Sequence, residues 1–261
     1  MNVKDWVVII TGSSSGIGAA SARLLAKHGA RVVINYSRSV DAAKQVQAEC
    51  EADGGETLLV KADIASDADC RAMAKAAVDK WGRIDGLVNN AGTTKFAAHT
   101  DLEALSGDDF AKIMAVNVTG TYQMTRAVVP AMRANGFGAV VNVSSIAGIM
   151  GVGSSIAYAA SKGAINTMTL ALAKALGPEI RVNTLCPGFV QGRWLREGMG
   201  EELYDAVKRG LETNAPLRRA GTAEDMAQAI HFLLAGNRNM TGEIMVCDAG
   251  VHLSAAALQP R

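Results

Sequence analysis

A hydroxyl, a phenol and an ammonium group near the middle of the chain have the types and spacing to move a proton to or from a carbonyl or alcohol oxygen. They are Ser145, Tyr158 and Lys162, in the stretch VVNVSSIAGIMGVGSSIAYAASK that runs over residues 140–162. Tyr158 and Lys162 stand at i and i+4, so on a helix both side chains face the same way. A free phenol titrates near ~10, and working as a phenolate around neutral pH needs that value lowered by about 2–3, or ~3–4 kcal/mol. A lysine cation at ~4 Å in an effective dielectric of ~20 contributes about 4 kcal/mol, so Lys162 alone is of the right size to activate Tyr158. Ser145 would donate a hydrogen bond to the reacting oxygen.

The elements that bring the three together are legible. Ala139–Val143 is a short apolar, β-branched run that reads as a buried strand and breaks at Ser144-Ser145. A loop with Gly148, Gly151 and Gly153 follows. Ser154 or Ser155 then caps a helix over Ala157–Leu176, a run of helix formers without proline. Such proton chemistry needs a redox partner, which directs attention to the start of the chain.

There, the apolar strand Trp6–Ile10 runs into TGSSSGIG, Thr11–Gly18, and then into a helical stretch to His28. Glycines in a strand–turn–helix context let the backbone approach a pyrophosphate, and the helix N-terminus offers free N–H groups. The candidate contacts are Gly12, Ser14, Ser15, Gly16, Ile17 and Gly18. The spacing is G-x-x-x-G-x-G, without the Gly-Lys-Ser/Thr of a nucleotide-triphosphate loop. Alternation then continues: strands at Arg31–Tyr36, Thr57–Ala62 and Ile84–Asn89, helices at Val40–Asp53 and Asp67–Trp81. Repeated βα units with continuous apolar strands predict an α/β fold, a doubly wound parallel sheet covered on both faces, with ligands at the carboxyl ends of the strands. The strand-ending residues Asp63, Ile64, Asn90, Ala91 and Gly92 therefore belong to the same rim as Ser145.

The end of the second strand bears on the choice of nucleotide. A carboxylate there would bond the adenosine ribose hydroxyls and repel a 2′-phosphate. The residues are Asn35-Tyr36-Ser37-Arg38-Ser39. Arg38 with its neighbouring hydroxyls suits a phosphate, which favours NADP(H) over NAD(H).

Taken together the chain resembles the short-chain dehydrogenase/reductase family, in its short one-domain branch, from Val7 to about Val251. The motifs are Thr11–Gly18, Asp63, NNAG (Asn89–Gly92), Asn117 in AVNVTG, Ser145, YAASK (Tyr158–Lys162) and RVNTLCPG (Arg181–Gly188). The resemblance implies a Rossmann-like sheet of about seven strands, NAD(P) binding, a catalytic tetrad of Asn117, Ser145, Tyr158 and Lys162, and often a tetramer. It also implies cofactor contacts at Tyr36, Ser37, Arg38, Tyr158, Lys162, Pro187, Gly188 and Val190. In the family the lysine bonds the nicotinamide ribose, and the asparagine holds a water that relays protons to it. Where the family commonly has threonine after its P-G-x-V stretch, this chain has Gly192. The basic residues by which 3-oxoacyl-carrier-protein reductases meet their acidic carrier are missing at Asn135–Gly138 and Gly177–Ile180.

The second half reads as helices over Leu102–Ala115 and Val118–Ala134, or one long bent helix across both, strands at Glu179–Leu185 and Glu243–Cys247, and a helix over Ala223–Ala235 capped by Thr222. Residues 189–220 form a long, apolar-spotted excursion beyond a strand's carboxyl end, the position of a substrate lid. No linker or repeat interrupts residues 1–261, so one domain is expected.

With 261 residues, 49% hydrophobic and 20% charged, net charge +1, the chain has the profile of a soluble globular protein with ample core. The charge balance gives no case for nucleic acid or membrane. No secretory signal precedes the first strand, and four scattered cysteines predict free thiols in a reducing compartment, the cytoplasm. The four histidines have no ligand spacing, so no metal site is expected. The expected activity is hydride transfer between NADP(H) and a small carbonyl or secondary-alcohol substrate, in a homo-oligomer, tetramer or dimer. The alternatives are an NAD-linked sugar or polyol dehydrogenase and a non-catalytic dinucleotide-binding scaffold.

Overall fold

A computed structural model describes residues 2–253 of the chain; the final stretch of the expected domain, 254–261, lies outside the described residues. Seven strands, β1 (Val7–Ile10), β2 (Arg31–Tyr36), β3 (Thr57–Lys61), β4 (Gly86–Asn89), β5 (Gly138–Val143), β6 (Ile180–Pro187) and β7 (Ile244–Cys247), form one sheet. Their order is β3-β2-β1-β4-β5-β6-β7 and every pairing is parallel. Parallel strands need crossovers, and α1 (Gly16–Lys27), α2 (Val40–Ala52) and α3 (Asp67–Trp81) supply the first three. The chain reverses its direction of winding between β1 and β4, and the crevice at such a switch point is where a dinucleotide lies.

Both faces of the sheet are buried because each strand is apolar at successive positions. In β1, Val8 and Ile10 face a core with Ala22 and Leu25 of α1, while Val7 and Ile9 face another with Met73 and Ala77 of α3. Ser66 caps α3, accepting from the Asp69 backbone N–H, and Gly82 ends it in the left-handed region.

The crossover from β4 to β5 follows the single long bent helix, one of the two readings of the sequence, but starts later. Leu102–Ala104 is a separate 3₁₀ turn, because Ser106 and Asp109 form a reciprocal capping box that starts α4 (Gly107–Met114) later than expected. Ala115–Gly120 continues without a break as a π turn into α5 (Thr121–Ala134), so this is one helix with a widened middle. π turns of this kind sit often at functional sites, and this one contains Asn117.

Beyond β5 lie a short unexpected helix, α6 (Ala147–Met150), and then α7 (Ile156–Leu176), capped by the Ser155 hydroxyl. The excursion after β6 is helical: α8 (Arg193–Met199) and α9 (Glu201–Asn214), followed by α10 (Ala223–Ala235).

Candidate active site

The loop after β1 is laced to the ends of its neighbours. Thr11 Oγ1 accepts from the backbone N–H groups of Asn90 and Ala91, each at 3.0 Å. Asn90 Nδ2 donates back to the Thr11 and Gly12 carbonyls. On the other side, Gly12 N donates to Asn35 Oδ1 at 2.9 Å. Gly12 has φ +62, and a Cβ there would lie 2.9 Å from Ala91 Cα; one on Gly18 would lie 2.6 Å from Asn90 Nδ2. The glycines are thus needed for close packing of the β1 and β4 ends as well as for ligand approach. Space remains where a pyrophosphate is expected, since nothing lies within 4 Å of a Cβ built on Gly16. Ser15 caps α1 without a side-chain bond and the first turn carries no acid, so the N–H groups of Gly16, Ile17 and Gly18 are left for an anion. Ser14 is half-buried beside them.

The β2 end is open. Tyr36 is half-buried, Ser37 and Arg38 are exposed, and Arg38 has no ion pair among the described residues. Asp63 is exposed at the end of β3, and Ile64 is buried, its carbonyl accepting from Gln123. Asn90, Ala91 and Gly92 follow β4; a Cβ on Gly92 would lie 3.4 Å from Asn117 Oδ1 and 3.7 Å from Lys162 Nζ, so this loop borders the central cluster. Pro187 closes β6, and Gly188 lies against Asp248 at the end of β7.

The central cluster is built by β5, the π turn and α7. Ser145 lies just past β5 and its Oγ accepts from Ala147 N at 3.1 Å, which starts α6. Tyr158 and Lys162 are both buried on α7. Lys162 Nζ donates to the Val143 carbonyl at 2.8 Å and lies 5.4 Å from the centroid of the Tyr158 ring. Asn117, fully buried, exchanges two hydrogen bonds with the Thr93 backbone and donates to Ser161 Oγ at 2.9 Å; Ser161 in turn donates to the Tyr158 carbonyl at 2.7 Å. The four residues singled out in the sequence therefore meet at one rim, beside the glycine loop.

The electrostatics differ from the expectation that Lys162 activates the phenol. Burial pushes the Tyr158 phenol up to about 12, with a Ser145 hydrogen bond opposing. Burial likewise draws the Lys162 ammonium down to about 8. The lysine faces the ring and a backbone carbonyl, and desolvation is the largest cause of both shifts.

Residues 189–220 cover the cluster. Trp194 on α8 lies 5.9 Å from the Tyr158 ring, centroid to centroid, and 6.2 Å from Phe96. Tyr204 on α9 packs against Phe189, and its hydroxyl accepts from Gly192 N at 3.3 Å. The ends of the excursion are clasped: Val190 and Gly221 form a parallel bridge, with Gln191 N donating to the Gly221 carbonyl and Gly221 N to that of Phe189.

Thr11 and Asn35 belong to the strand ends that the sequence marks, and the structure gives them the role of lacing the β1, β2 and β4 ends together. Sequence reasoning missed Ser161, inside a motif otherwise read for its tyrosine and lysine. It missed Phe96 as a partner of Trp194, for which no local signal exists. Among the described residues, no group of three or more His, Cys, Asp or Glu could hold a metal ion, and no helix is long and apolar enough to cross a membrane.

A parallel seven-stranded sheet with this rim is the architecture of the short-chain dehydrogenases/reductases, and comparison with known proteins agrees. The family model described as Enoyl-(Acyl carrier protein) reductase matches residues 12–252. A ketoacyl reductase assigned to the granaticin polyketide synthase of Streptomyces violaceoruber is 40% identical over 95% of this chain and 96% of its own. A Burkholderia xenovorans protein, its structure solved as a short-chain dehydrogenase/reductase, is 42% identical with a TM-score of 0.88, covering 95% of this chain and 98% of that one. Xylitol dehydrogenase with bound NAD+ is 28% identical with a TM-score of 0.86, covering 94% and 98%. The chain belongs to the short-chain dehydrogenase/reductase family and is an NAD(P)-dependent oxidoreductase.

Proposed function

We propose that the protein is an NADPH-dependent ketone reductase acting on 3-oxoacyl-type substrates, with Asn117, Ser145, Tyr158 and Lys162 as its catalytic residues. The observation that carries this reading is their convergence beside the glycine loop after β1. A nicotinamide nucleotide held by the glycine loop would supply the hydride. Tyr158 gives its phenolic proton to the carbonyl oxygen in reduction and takes it back in oxidation. Ser145 donates a hydrogen bond to the same oxygen, stabilising the charge that develops there. Lys162 would hold the nicotinamide ribose, and its positive charge favours the phenolate once Tyr158 has released its proton. Asn117 fixes the Tyr158 turn of α7 through Ser161 and supports proton relay to Lys162.

The acid-free β2 end, with Tyr36, Ser37 and Arg38, supports NADP(H). The contacts to the rest of the nucleotide are Gly12, Ser14, Ser15, Gly16, Ile17, Gly18, Asp63, Ile64, Asn90, Ala91, Gly92, Pro187, Gly188 and Val190. Residues 189–220 act as the substrate lid of a single domain, and the protein works as a cytoplasmic homo-oligomer. The test is steady-state turnover of 3-oxoacyl esters with NADPH and NADH. Preferred oxidation of xylitol with NAD+ would instead favour the polyol reading, to which the likeness to xylitol dehydrogenase points. Missing basic residues at Asn135–Gly138 and Gly177–Ile180 favour small thioesters over acyl chains on an acidic carrier protein.

A further inference from the structure

Ser145 is held by the short helix that follows it. Its Oγ accepts from Ala147 N at 3.1 Å and its carbonyl accepts from Gly148 N at 3.1 Å, so both bonds come from the first turn of α6. A hydroxyl that spends one lone pair on a backbone N–H keeps its own proton to donate, which is what the reacting oxygen requires of Ser145. β5 and β6 bring the residue to the rim, since Ser144 N donates to the Leu185 carbonyl and Ile146 N to that of Pro187. The direction of the Ser145 hydroxyl is then set by where α6 sits.

That helix sits on the backbone of α7 at Lys162. A Cβ built on Gly148 would fall 2.4 Å from the Lys162 carbonyl carbon and 2.5 Å from Gly163 N. Carbon atoms in contact keep about 3.5 Å, so any side chain at 148 has to lift α6 off α7 by roughly one ångström. The obstacle is the backbone of a long helix, which cannot swing aside as a side chain can. Two bonds stitch the same joint: Ser144 Oγ donates to the Lys162 carbonyl at 2.9 Å, and Asn166 Nδ2 to the Gly148 carbonyl at 3.4 Å. On its other side α6 is close to the phenol, because a Cβ on Gly153 would lie 3.1 Å from Ala147 Cβ and 3.7 Å from Cδ1 of Tyr158. Gly163 gives the contrast. A Cβ there would meet only the Gly148 carbonyl oxygen, at 3.5 Å, an ordinary contact. The close approach of the two helices depends on residue 148 and not on residue 163.

We propose that Gly148 is a positioning residue: its lack of a side chain seats α6 on the Lys162–Gly163 peptide and so aims the Ser145 hydroxyl at the oxygen that Tyr158 protonates. The proposal rests on the reading of Ser145 and Tyr158 as catalytic. Misplacing a reacting group by one ångström can cost on the order of 100-fold in rate, so Gly148→Ala should lower kcat by roughly 10- to 100-fold. Nucleotide affinity should be nearly unchanged, because the glycine loop after β1 is not disturbed. The test measures kcat and KM for ethyl 3-oxobutanoate with NADPH, or for xylitol with NAD+ if the ester is not reduced, together with the nucleotide Kd by fluorescence titration. The proteins are the wild type, Gly148→Ala, Gly163→Ala, Ser145→Ala and the double variant Gly148→Ala/Ser145→Ala. Gly163→Ala should keep the wild-type kcat. If Gly148 acts through Ser145, Gly148→Ala should cost little further activity once Ser145 is alanine, whereas a general loss of structure would add to the Ser145 loss. Additive losses, or a wild-type kcat in Gly148→Ala, would overturn the proposal. Should Gly148→Ala fail to fold, Ser144→Ala cuts the neighbouring stitch without adding volume, and it should lose activity a few-fold with the same dependence on Ser145. Turnover of xylitol but not the ester would sink the ketone reading and leave Gly148 to be judged by the same cycle. No turnover of either would overturn the catalytic reading of Ser145 and this inference with it.

Discussion

Lys162 Nζ stands 5.4 Å from the Tyr158 ring centroid and spends a hydrogen bond on the Val143 carbonyl. The buried ammonium has a pKa near 8, below the ordinary 10.5, and the cause is burial. Between those two pH values the unfolded chain holds a proton that the folded chain has released, so stability rises with pH across that window. Below about 8 both states are charged and the cost of burying the cation is fully present. Lys162→Met should thus gain thermal stability relative to wild type at neutral pH, with the gap narrowing as pH rises toward 10.5. The check is Tm against pH for both proteins without nucleotide. A difference that stays flat from neutral pH upward would mean the ammonium is better solvated than its surroundings suggest.

Tyr158 is the proposed proton donor, and its replacement tests that role directly. Tyr158→Phe removes one hydroxyl from a buried ring and should leave the fold and nucleotide affinity intact. Turnover should fall at least ~100-fold, the lower range for loss of a general acid. In the nucleotide-free protein the same variant should lose the phenol that titrates near 12 in the ultraviolet difference spectrum. Wild-type turnover in the variant would remove Tyr158 from the chemistry.

Arg38 faces solvent without an ion pair among the described residues, ready for a phosphate. NADPH should be preferred to NADH, and Arg38→Ala should narrow the ratio of kcat/KM by roughly tenfold, about 1.4 kcal/mol. Equal use of the two nucleotides by the wild type would contradict the assignment.

Gly192 tests whether residues 189–220 act as a lid. Its φ of 162 is extended backbone, and nothing lies within 4 Å of a Cβ built there. Gly192→Thr is therefore sterically allowed, and it places a hydroxyl at the N-cap of α8, which now has no side-chain cap. Such a cap stabilises a helix by about 0.5–2 kcal/mol. The variant should show slower hydrogen exchange over residues 193–199 and bind NADP(H) more tightly by a few-fold. Residues 189–216 of the wild type should gain protection when nucleotide binds. Protection that ignores nucleotide would make this segment a fixed wall, and weaker binding by the threonine variant would mean that Gly192 serves through its backbone.

Much of this was legible in the sequence because the strands are short continuous apolar runs and their ends carry the polar residues. Ser145, Tyr158 and Lys162 are separated by one loop and one helical turn, so local rules bring them together. Asn117 could be named by resemblance, but its π turn could not, since residues 102–134 have ordinary helical composition. The delayed start of α4 depends on Ser106 pairing with Asp109, a capping signal overshadowed by Leu102. The direction of the Tyr158 and Lys162 shifts was hidden for a different reason. Charge attraction can be read from spacing, but desolvation depends on what the whole fold lays over the pair. Phe96 and Trp194 meet only through the tertiary structure, and so do Gly148 and the backbone of α7.

The clasp between Val190 and Gly221 bears on how such a protein can change. The two ends of the excursion are held side by side by backbone bonds that any residue can make, and α10 begins immediately beyond. What lies between is a closed loop whose closure cost varies only slowly with length, by about 0.6 kcal/mol per doubling. Residues 192–220 are in this sense an exchangeable cassette. One further tie lies inside it, Leu217 N donating to the Ala249 carbonyl just past β7, so a segment of different length would have to keep that bond as well as the clasp to leave the sheet's register as it is.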